Sequence, residues 1–504
     1  MAQASPARSV ALRLLARQRR RGARARDLLR SAHEMNSLGS KGRALATRLV
    51  LGVNGASGEL DRRINAHVTR PASVEPRVRD ALRLASFEVL YLDTPRQVVV
   101  SQGVELVRSV QPRAARMANA VLRRVAEGRP EVDEAREAVA AVGAGTRRSV
   151  TARELAVASG YPTWLCERLL ADVGAEGTAR MCACALDPAP VYVARGPRAG
   201  EGVLPGRLAE LGLDPVERGW PESWRLASPA ALAQSGLVGS CEVVTADLAA
   251  QLVCRVAAVP AGRVLEVGQG RGTKSVLLAG LARELRDAGC ASGAGAHAEA
   301  GACAGAVAGA LHISGCDLIP SKVELSRKRM EVAGLSRAVS CTALDATRLG
   351  CAEGLPSELA GVFDVVLVDA PCSGTGTMRR HPEIPWALER VSVDPKAEGS
   401  LPALQLAMLK AASARVCEGG ALVYATCSVL VAENEGVVEA FLASPEGAGF
   451  RRASVLEAPG VQVLGAEARE LVACCVTETG AFQSVPCAGS HDGHFCCRLV
   501  RMGA

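Results

Sequence analysis

The sequence is poor in aromatic residues: Phe, Trp and Tyr make up 3% of its 504 residues, whereas hydrophobic residues make up 49%. Its core must therefore be built mainly from Ala, Val and Leu. It also lacks an apolar signal segment, and its 18 Cys include no Cys-x-x-Cys pair. These absences argue against a secreted disulfide scaffold and against a zinc finger. They predict a cytoplasmic protein with reduced thiols and no bound metal.

Positive charge is concentrated in the first quarter of the chain. Residues 1–130 contain 25 Lys and Arg against 10 Asp and Glu, an excess of +15, while the whole chain carries +7. The remaining residues therefore carry a net charge of −8. A basic module of this kind is typical of proteins that contact a polyanion such as nucleic acid, although an arginine-rich helical surface that only faces solvent has the same composition.

The hydrophobic pattern predicts a multidomain chain. Apolar residues recur at spacings of three and four in its first part, for example at Leu45, Leu49 and Val53, which predicts an all-α domain. The pattern loosens at residues 128–150, which predicts a linker that leads into a small α+β subdomain. The predicted domains are residues 1–130, 131–235 and 236–504.

The last domain shows a different pattern, in which short Val- and Leu-rich runs alternate with helical stretches. Four such runs are residues 263–267, 311–316, 362–368 and 421–424. This alternation predicts a parallel sheet covered by helices on both faces, as in Rossmann-like α/β domains. Residues 287–310, mostly Ala, Gly and Cys, form a low-complexity insertion that is too interrupted to span a membrane.

Glycines follow the first predicted strand and precede an apolar helix. Such a turn brings a ligand close to the helix N-terminus, although plain packing also uses glycine-rich turns. Acids end three successive strands, at Glu266, Asp317 and Asp345. Each alone is typical of a helix cap or turn, but three at one edge favour a cofactor with ribose hydroxyls. The candidate loop residues are Gly268, Gln269, Gly270, Arg271, Gly272, Thr273 and Lys274.

Two cysteines follow two neighbouring strands of the predicted sheet. One strand ends at Asp369 and runs into Ala370-Pro371-Cys372-Ser373, and the other runs into Thr426-Cys427-Ser428. Because neighbouring parallel strands end at the same edge, a substrate there would reach both thiols. Position alone leaves open whether the two residues form a catalytic pair or are small core residues.

These segments resemble the two signature blocks of the RsmB/Sun (Fmu) branch of RNA cytosine-5 methyltransferases. The first block is Asp369-Ala-Pro-Cys372-Ser-Gly-Thr-Gly with residues 379–386, and the second is Tyr424-Ala-Thr-Cys427-Ser-Val with residues 433–435. Residues 51–53, 60–61, 85–91 and 118–123 resemble the NusB-like RNA-binding domain that this branch carries. Residues 491–495 resemble the family's final strand, so the likeness covers nearly the whole chain.

The resemblance implies a role for each candidate residue. Cys427 corresponds to the nucleophile, and Cys372 to the residue that assists breakdown of the covalent adduct. Asp369 corresponds to the group that holds the cytosine ring and itself lies close to the cofactor. It implies S-adenosylmethionine as cofactor and 16S rRNA as partner; we also expect a monomer. The family usually has an Asp followed by a Cys-Ala-Ala-Pro-Gly-Gly-Lys segment. This chain has Glu266 and a loop that keeps the lysine, Lys274, and one helix-opening glycine.

Two other functions compete with this interpretation. The altered loop at 268–273 would suit a degenerate methyltransferase fold that binds RNA in ribosome assembly or antitermination without catalysis. The presence of Cys427, Cys372 and Asp369 opposes that interpretation. A DNA cytosine methyltransferase with Cys372 as nucleophile is disfavoured, because Thr426-Cys427 would then have no explanation.

Overall fold

A computed structural model describes residues 4–217, 220–290, 310–351 and 353–503. The chain divides into two compact units. Unit 1 comprises Met1–Ala189, Thr377–Glu389 and Pro486–Ser490. Unit 2 comprises Pro190–Gly376, Arg390–Val485 and His491–Ala504. The insertion predicted at 287–310 lies mostly outside the described residues.

Unit 1 is helical, as the sequence predicts for the N-terminal domain. Its central helix, Pro76–Tyr91, begins with proline at the first position, and the side chain of Glu75 accepts a hydrogen bond from the Val78 N–H. Most side chains of this helix are buried. The N-terminal helices are α1 (Pro6–Arg21), α2 (Ala25–Ser31), α3 (Ser40–Gly55), α4 (Ser57–Asn65), α5 (Pro76–Tyr91), α6 (Arg96–Val110), α7 (Ala115–Ala126), α8 (Arg129–Gly143), α9 (Ala152–Ser159) and α10 (Thr163–Ala183).

The linker prediction for residues 128–150 is wrong, because α8 occupies most of this range. Its Val132, Ala135, Val139 and Val142 are buried at spacings of three and four. Those apolar positions are small and separated by Ala, Glu and Arg, which weakened the periodic signal. Helices α8 to α10 pack within unit 1, so the predicted α+β subdomain begins only at Pro190.

The α+β subdomain is built on a small antiparallel sheet in unit 2. Its four strands lie in the order β2-β3-β1-β4 and enclose a separate apolar cluster that includes Trp224. The strands are β1 (Val191–Arg195), β2 (Pro215–Glu217), β3 (Ser223–Leu226) and β4 (Val243–Thr245), and the helix is α11 (Leu204–Glu210).

The rest of unit 2 is an α/β domain around an eight-stranded sheet. The strands are β5 (Gly262–Val267), β6 (Leu311–Asp317), β7 (Val339–Ala343), β8 (Phe363–Asp369), β9 (Val416–Thr426), β10 (Phe450–Ala453), β11 (Phe482–Gln483) and β12 (Phe495–Arg501). The remaining helices are α12 (Leu248–Ala257), α13 (Thr273–Asp287), α14 (Pro320–Ala333), α15 (Ile384–Ala387, part of unit 1), α16 (Leu401–Ser413), α17 (Glu435–Leu442), α18 (Pro459–Gln462) and α19 (Ala466–Ala473).

The strand order brings the predicted site residues to one edge of the sheet. The path runs β10-β12-β9-β8-β5-β6-β7, and β11 pairs with β12. Strands β5 to β9 are mutually parallel, which confirms the predicted sheet, whereas β10, β11 and β12 join it antiparallel. Asp369 pairs in register with Ala425, so the loops after β8 and β9 start at the same level. Apolar clusters rich in Ala, Val and Leu cover both faces.

Candidate active site

Cys372 and Cys427 lie side by side at this edge. Their sulfur atoms are 3.3 Å apart, and both residues are partly exposed. The Gly376 N–H donates to the Cys427 carbonyl oxygen at 3.0 Å, so the two loops are also joined through the backbone. The sequence prediction that these cysteines meet is therefore confirmed as a matter of geometry.

The surroundings of Cys372 favour its protonated form. The contact with Cys427, burial, and the negative charges of Cys427 and Glu433 raise the pKa of the Cys372 thiol well above its ordinary value. Two adjacent thiols cannot easily ionise together, because each negative charge opposes the other. The geometry therefore favours a pair that carries at most one negative charge.

Both cysteine loops are held by polar side chains for which the sequence predicts no role. Glu433 is fully buried and accepts hydrogen bonds from Ser373 and Ser428, the residues that follow the two cysteines. Asn434 accepts from the Thr426 hydroxyl at 2.6 Å and donates to the Ser428 carbonyl at 3.0 Å. The sequence does contain a signal for these contacts, because each cysteine is followed by a serine and residues 433–435 belong to the second signature block.

The glycine loop after β5 turns sharply where the sequence predicts a cofactor. Gly268 has φ +81°, and a Cβ atom there would lie 2.3 Å from the Asp369 carbonyl oxygen. The N–H groups of Gly268 and Gln269 both donate to the Cys316 carbonyl at 2.9 Å. The loop is thereby fixed between β6 and β8, and α13 begins at Thr273, directly after it.

Two of the predicted cofactor residues point into the core beneath this loop. Gln269 donates to the Ser275 hydroxyl at 2.9 Å and fills the space over Gly315, where an added Cβ would lie 2.1 Å from its amide carbon. Glu266 is buried and accepts a hydrogen bond from Ser275. Burial raises the pKa of Glu266 to about 7, although the Ser275 hydrogen bond and the charge of Lys274 oppose this shift. Both residues therefore support the loop from below.

Asp317 is the last residue of β6 and Asp345 lies two residues after the end of β7, and both carboxylates hold backbone groups. Asp317 accepts from the Gly270 N–H at 3.0 Å and from the Ile319 N–H at 2.9 Å. The Asp317 carboxylate therefore also has a structural role. Asp345 is exposed, and hydrogen bonds from the Thr347 side chain and N–H lower its pKa. Asp317 thus ties the tip of the glycine loop to β6.

Lys274 and Asp369 join the glycine loop to the loop that carries Cys372. The Lys274 ammonium donates to the Asp369 carboxylate at 2.5 Å, and the two side chains are 17% and 31% exposed. Burial lowers the pKa of Lys274, but the charge of Asp369 more than offsets this effect and leaves it above the ordinary value. This ion pair uses Oδ2 of Asp369. Of the remaining loop residues, Arg271 is exposed, Gly272 is the left-handed N-cap of α13, and the Thr273 hydroxyl accepts from Arg329.

Unit 1 has a basic groove of about 750 Å³ between α6 and α7. Its lining includes one acid, Glu105, which pairs with an arginine on the same helix. Its arginines are all exposed: Arg96, Arg108, Arg116 and Arg123. Part of the positive charge predicted for this domain therefore lies on one concave surface.

Two further observations concern metals and membranes. Within the described ranges, no cluster of three or more His, Cys, Asp or Glu side chains is arranged to bind a metal ion. Over the same part of the chain, every helix is too short or too polar to cross a lipid bilayer.

The comparisons with known proteins agree with the fold. The NusB family model matches residues 5–127, and the model of the 16S rRNA methyltransferase RsmB/F family matches residues 321–500. A helical NusB domain followed by an α/β domain with this mixed sheet defines a methyltransferase of the RNA-modifying class. The chain belongs to the 16S rRNA methyltransferase RsmB/F family.

Relatives and solved structures extend this likeness over most of the chain. Ribosomal RNA small subunit methyltransferase B of Thermus thermophilus is 30% identical, over 84% of each chain. A Bacillus subtilis protein named "Probable ribosomal RNA small subunit methyltransferase B" is 27% identical, over 98% of this chain and 99% of its own. The crystal structure of PH0851 has a TM-score of 0.70 and 19% identity, over 99% of each chain, which supports the fold alone.

Proposed function

We propose that this chain transfers a methyl group from S-adenosylmethionine to carbon 5 of a cytosine in 16S rRNA, through a covalent bond between Cys427 and the base. The observation that carries the proposal is the 3.3 Å separation of the two thiols at adjacent strand ends. The two thiols lie in segments that resemble the family's signature blocks, and family membership supplies the RNA substrate class.

In the first step, Cys427 acts as a nucleophile. Carbon 5 of cytosine is too weakly nucleophilic to accept a methyl group unaided. Addition of the Cys427 thiolate to carbon 6 breaks the aromaticity of the ring and gives carbon 5 enamine character. Asp369 would accept a hydrogen bond from ring nitrogen 3 once this atom has taken up a proton from solvent, so that addition of the thiolate leaves the ring without net negative charge. Lys274 keeps the Asp369 carboxylate in place for this task.

In the second step, Cys372 helps to release the product. After methyl transfer, carbon 5 loses its proton, the electron pair restores the double bond to carbon 6, and the bond from carbon 6 to Cys427 sulfur breaks. Cys372, whose sulfur lies 3.3 Å from that of Cys427, is placed to take that proton as a thiolate, after its own proton has passed to solvent. The base must be unstacked to reach both sulfur atoms.

The residues beside the thiols suit S-adenosylmethionine as the cofactor. The glycine loop leaves open space above Gly270, where an added Cβ would come no closer than 3.9 Å to its nearest neighbour. The carboxylates of Asp317 and Asp369 suit ribose hydroxyls and a positively charged sulfonium. When bound, the cofactor supplies the electrophilic methyl group. Gly268 to Lys274 and Asp317 would hold it, with Glu266 and Gln269 supporting the loop and Asp345 at the next strand end.

Methylation of 16S rRNA by the purified protein tests the proposal directly. With S-adenosylmethionine supplied, bisulfite sequencing should show one cytosine that becomes resistant to conversion, and the same cytosine should lose this resistance in cells that lack the gene. Binding of S-adenosylmethionine without any methylation would instead favour an RNA-binding assembly factor. Absence of both binding and methylation would contradict the cofactor assignment as well.

We further propose that the basic groove between α6 and α7 contacts RNA phosphates. Arg116→Ala should weaken RNA binding and reduce the slope of log affinity against log salt concentration by about 1, because one phosphate contact is lost. Arg124→Ala is the matched control, since Arg124 lies on the same helix outside the groove and pairs with Glu127. Equal slopes for Arg116→Ala and the unmodified chain, measured by fluorescence anisotropy, would remove the groove from the RNA interface.

A further inference from the structure

Glu433 joins the two cysteine loops through its carboxylate. Oε1 accepts from the Ser373 N–H at 2.8 Å and from the Gln405 amide at 3.0 Å. Oε2 accepts from the Ser373 hydroxyl at 2.5 Å and from the Ser428 hydroxyl at 2.6 Å. An ionised carboxylate offers about four acceptor positions, so these four donors use them all.

Burial of this carboxylate costs free energy, which indicates a purpose beyond packing. Glu433 is fully buried, and the four donors that its carboxylate meets are neutral groups. Burial of a carboxylate without a cationic partner is unfavourable, and hydrogen bonds from neutral groups must offset that cost. The Glu433 backbone is fixed as well, because the Tyr424 hydroxyl donates to its carbonyl oxygen at 2.6 Å. A buried, rigidly held carboxylate beside reactive groups is typical of a functional site.

We propose that Glu433 is the positioning residue of the thiol pair, which fastens the loop after Cys372 to the loop after Cys427 so that both sulfur atoms face one base. This inference rests on the proposed function and extends it. Gln405 strengthens the same arrangement, because its amide also donates to the Pro371 carbonyl oxygen at 2.9 Å, next to Cys372.

The charge of Glu433 also acts on the Cys372 thiol. It is one of the causes that raise the pKa of Cys372, together with the hydrogen bond to Cys427, burial and the charge of Cys427. The charge of Glu433 therefore favours the protonated form of Cys372. A neutral side chain at position 433 would remove this contribution, while burial and the contact with Cys427 would remain.

Glu433→Gln tests the proposal, because glutamine has nearly the same shape without the charge. Alkylation of Cys372 by iodoacetamide in the full chain without RNA, followed by mass spectrometry across pH, should become faster near neutral pH, with its pH profile shifted towards lower pH. Methylation of 16S rRNA should lose kcat while KM for RNA stays unchanged. Glu439→Gln on α17 is the matched control and should alter neither measurement, since Glu439 is exposed.

Ser428→Ala provides a second variant in case Glu433→Gln does not fold. It removes one of the four donors but keeps the charge of Glu433, so kcat should fall while the pH dependence of Cys372 alkylation stays that of the unmodified chain. Unchanged alkylation and unchanged kcat in folded Glu433→Gln would overturn the proposal. A shifted alkylation profile in a chain that never methylates RNA would instead refute the proposed reaction and leave the positioning role standing.

Discussion

Cys427→Ala is expected to abolish methylation of 16S rRNA and to prevent any covalent complex between protein and RNA. Without a sulfur atom at this position, carbon 6 is not attacked and carbon 5 is never activated. The substitution should leave the fold intact, because Cys427 is small and lies at the partly exposed surface of the site. Denaturing gels with radiolabelled RNA and S-adenosylmethionine measure the complex, and incorporation of labelled methyl groups measures turnover.

Cys372→Ala should have the opposite effect on the covalent complex. Attack by Cys427 and methyl transfer proceed, but proton loss and release stall, so the complex should accumulate on denaturing gels. Cys417→Ala is the matched control, because Cys417 is also a partly buried thiol but contacts Asp364 away from the pair. It should turn over like the unmodified chain.

Two outcomes would contradict these roles. A complex that forms with Cys427→Ala and disappears with Cys372→Ala would make Cys372 the nucleophile. Near-normal turnover in both variants, with only a small loss of thermal stability, would show that the two cysteines are merely small residues packed at the sheet edge.

The α/β fold could be predicted because its signal is local. Strand β8 contains a continuous apolar run, residues 365–368, directly before Asp369, and such runs are buried on both faces of a parallel sheet. Strands β5 and β6 carry fewer apolar residues and likewise have an acid at or next to their ends, Glu266 and Asp317. Helix α8 could not be predicted in this way, because its own sequence carries only a weak periodic signal. Its buried face consists of Val and Ala among charged residues, and it becomes stable by packing on α9 and α10 rather than through its own pattern.

For the candidate site, the sequence predicts only which residues lie at the ends of neighbouring strands. Parallel topology places Cys372 and Cys427 together without any knowledge of side-chain contacts. The directions in which side chains point could not be derived in this way, since Glu266 and Gln269 turn towards Ser275 in the core. Such contacts depend on three-dimensional packing between distant segments, and no local pattern encodes them.

Two glycines of the glycine loop allow the effect of backbone conformation to be tested separately from the effect of steric crowding. Gly268 and Gly270 both adopt left-handed backbone, with φ +81° and +60°. A Cβ at Gly268 would collide with the Asp369 carbonyl oxygen at 2.3 Å, whereas a Cβ at Gly270 would meet its nearest neighbour at 3.9 Å. The left-handed conformation costs an alanine about 1 to 2 kcal/mol at either position. Only at Gly268 must the backbone also move.

Gly268→Ala is therefore expected to bind S-adenosylmethionine at least about tenfold more weakly than Gly270→Ala, an excess of about 1.4 kcal/mol over the shared conformational cost. The added methyl group pushes the loop away from β8, which displaces Asp369 and weakens its ion pair with Lys274. Isothermal titration calorimetry of the RNA-free protein measures the affinity, and thermal unfolding checks that both variants are folded. Equal affinities in the two folded variants would mean that the close approach of Gly268 to Asp369 does not shape the cofactor site.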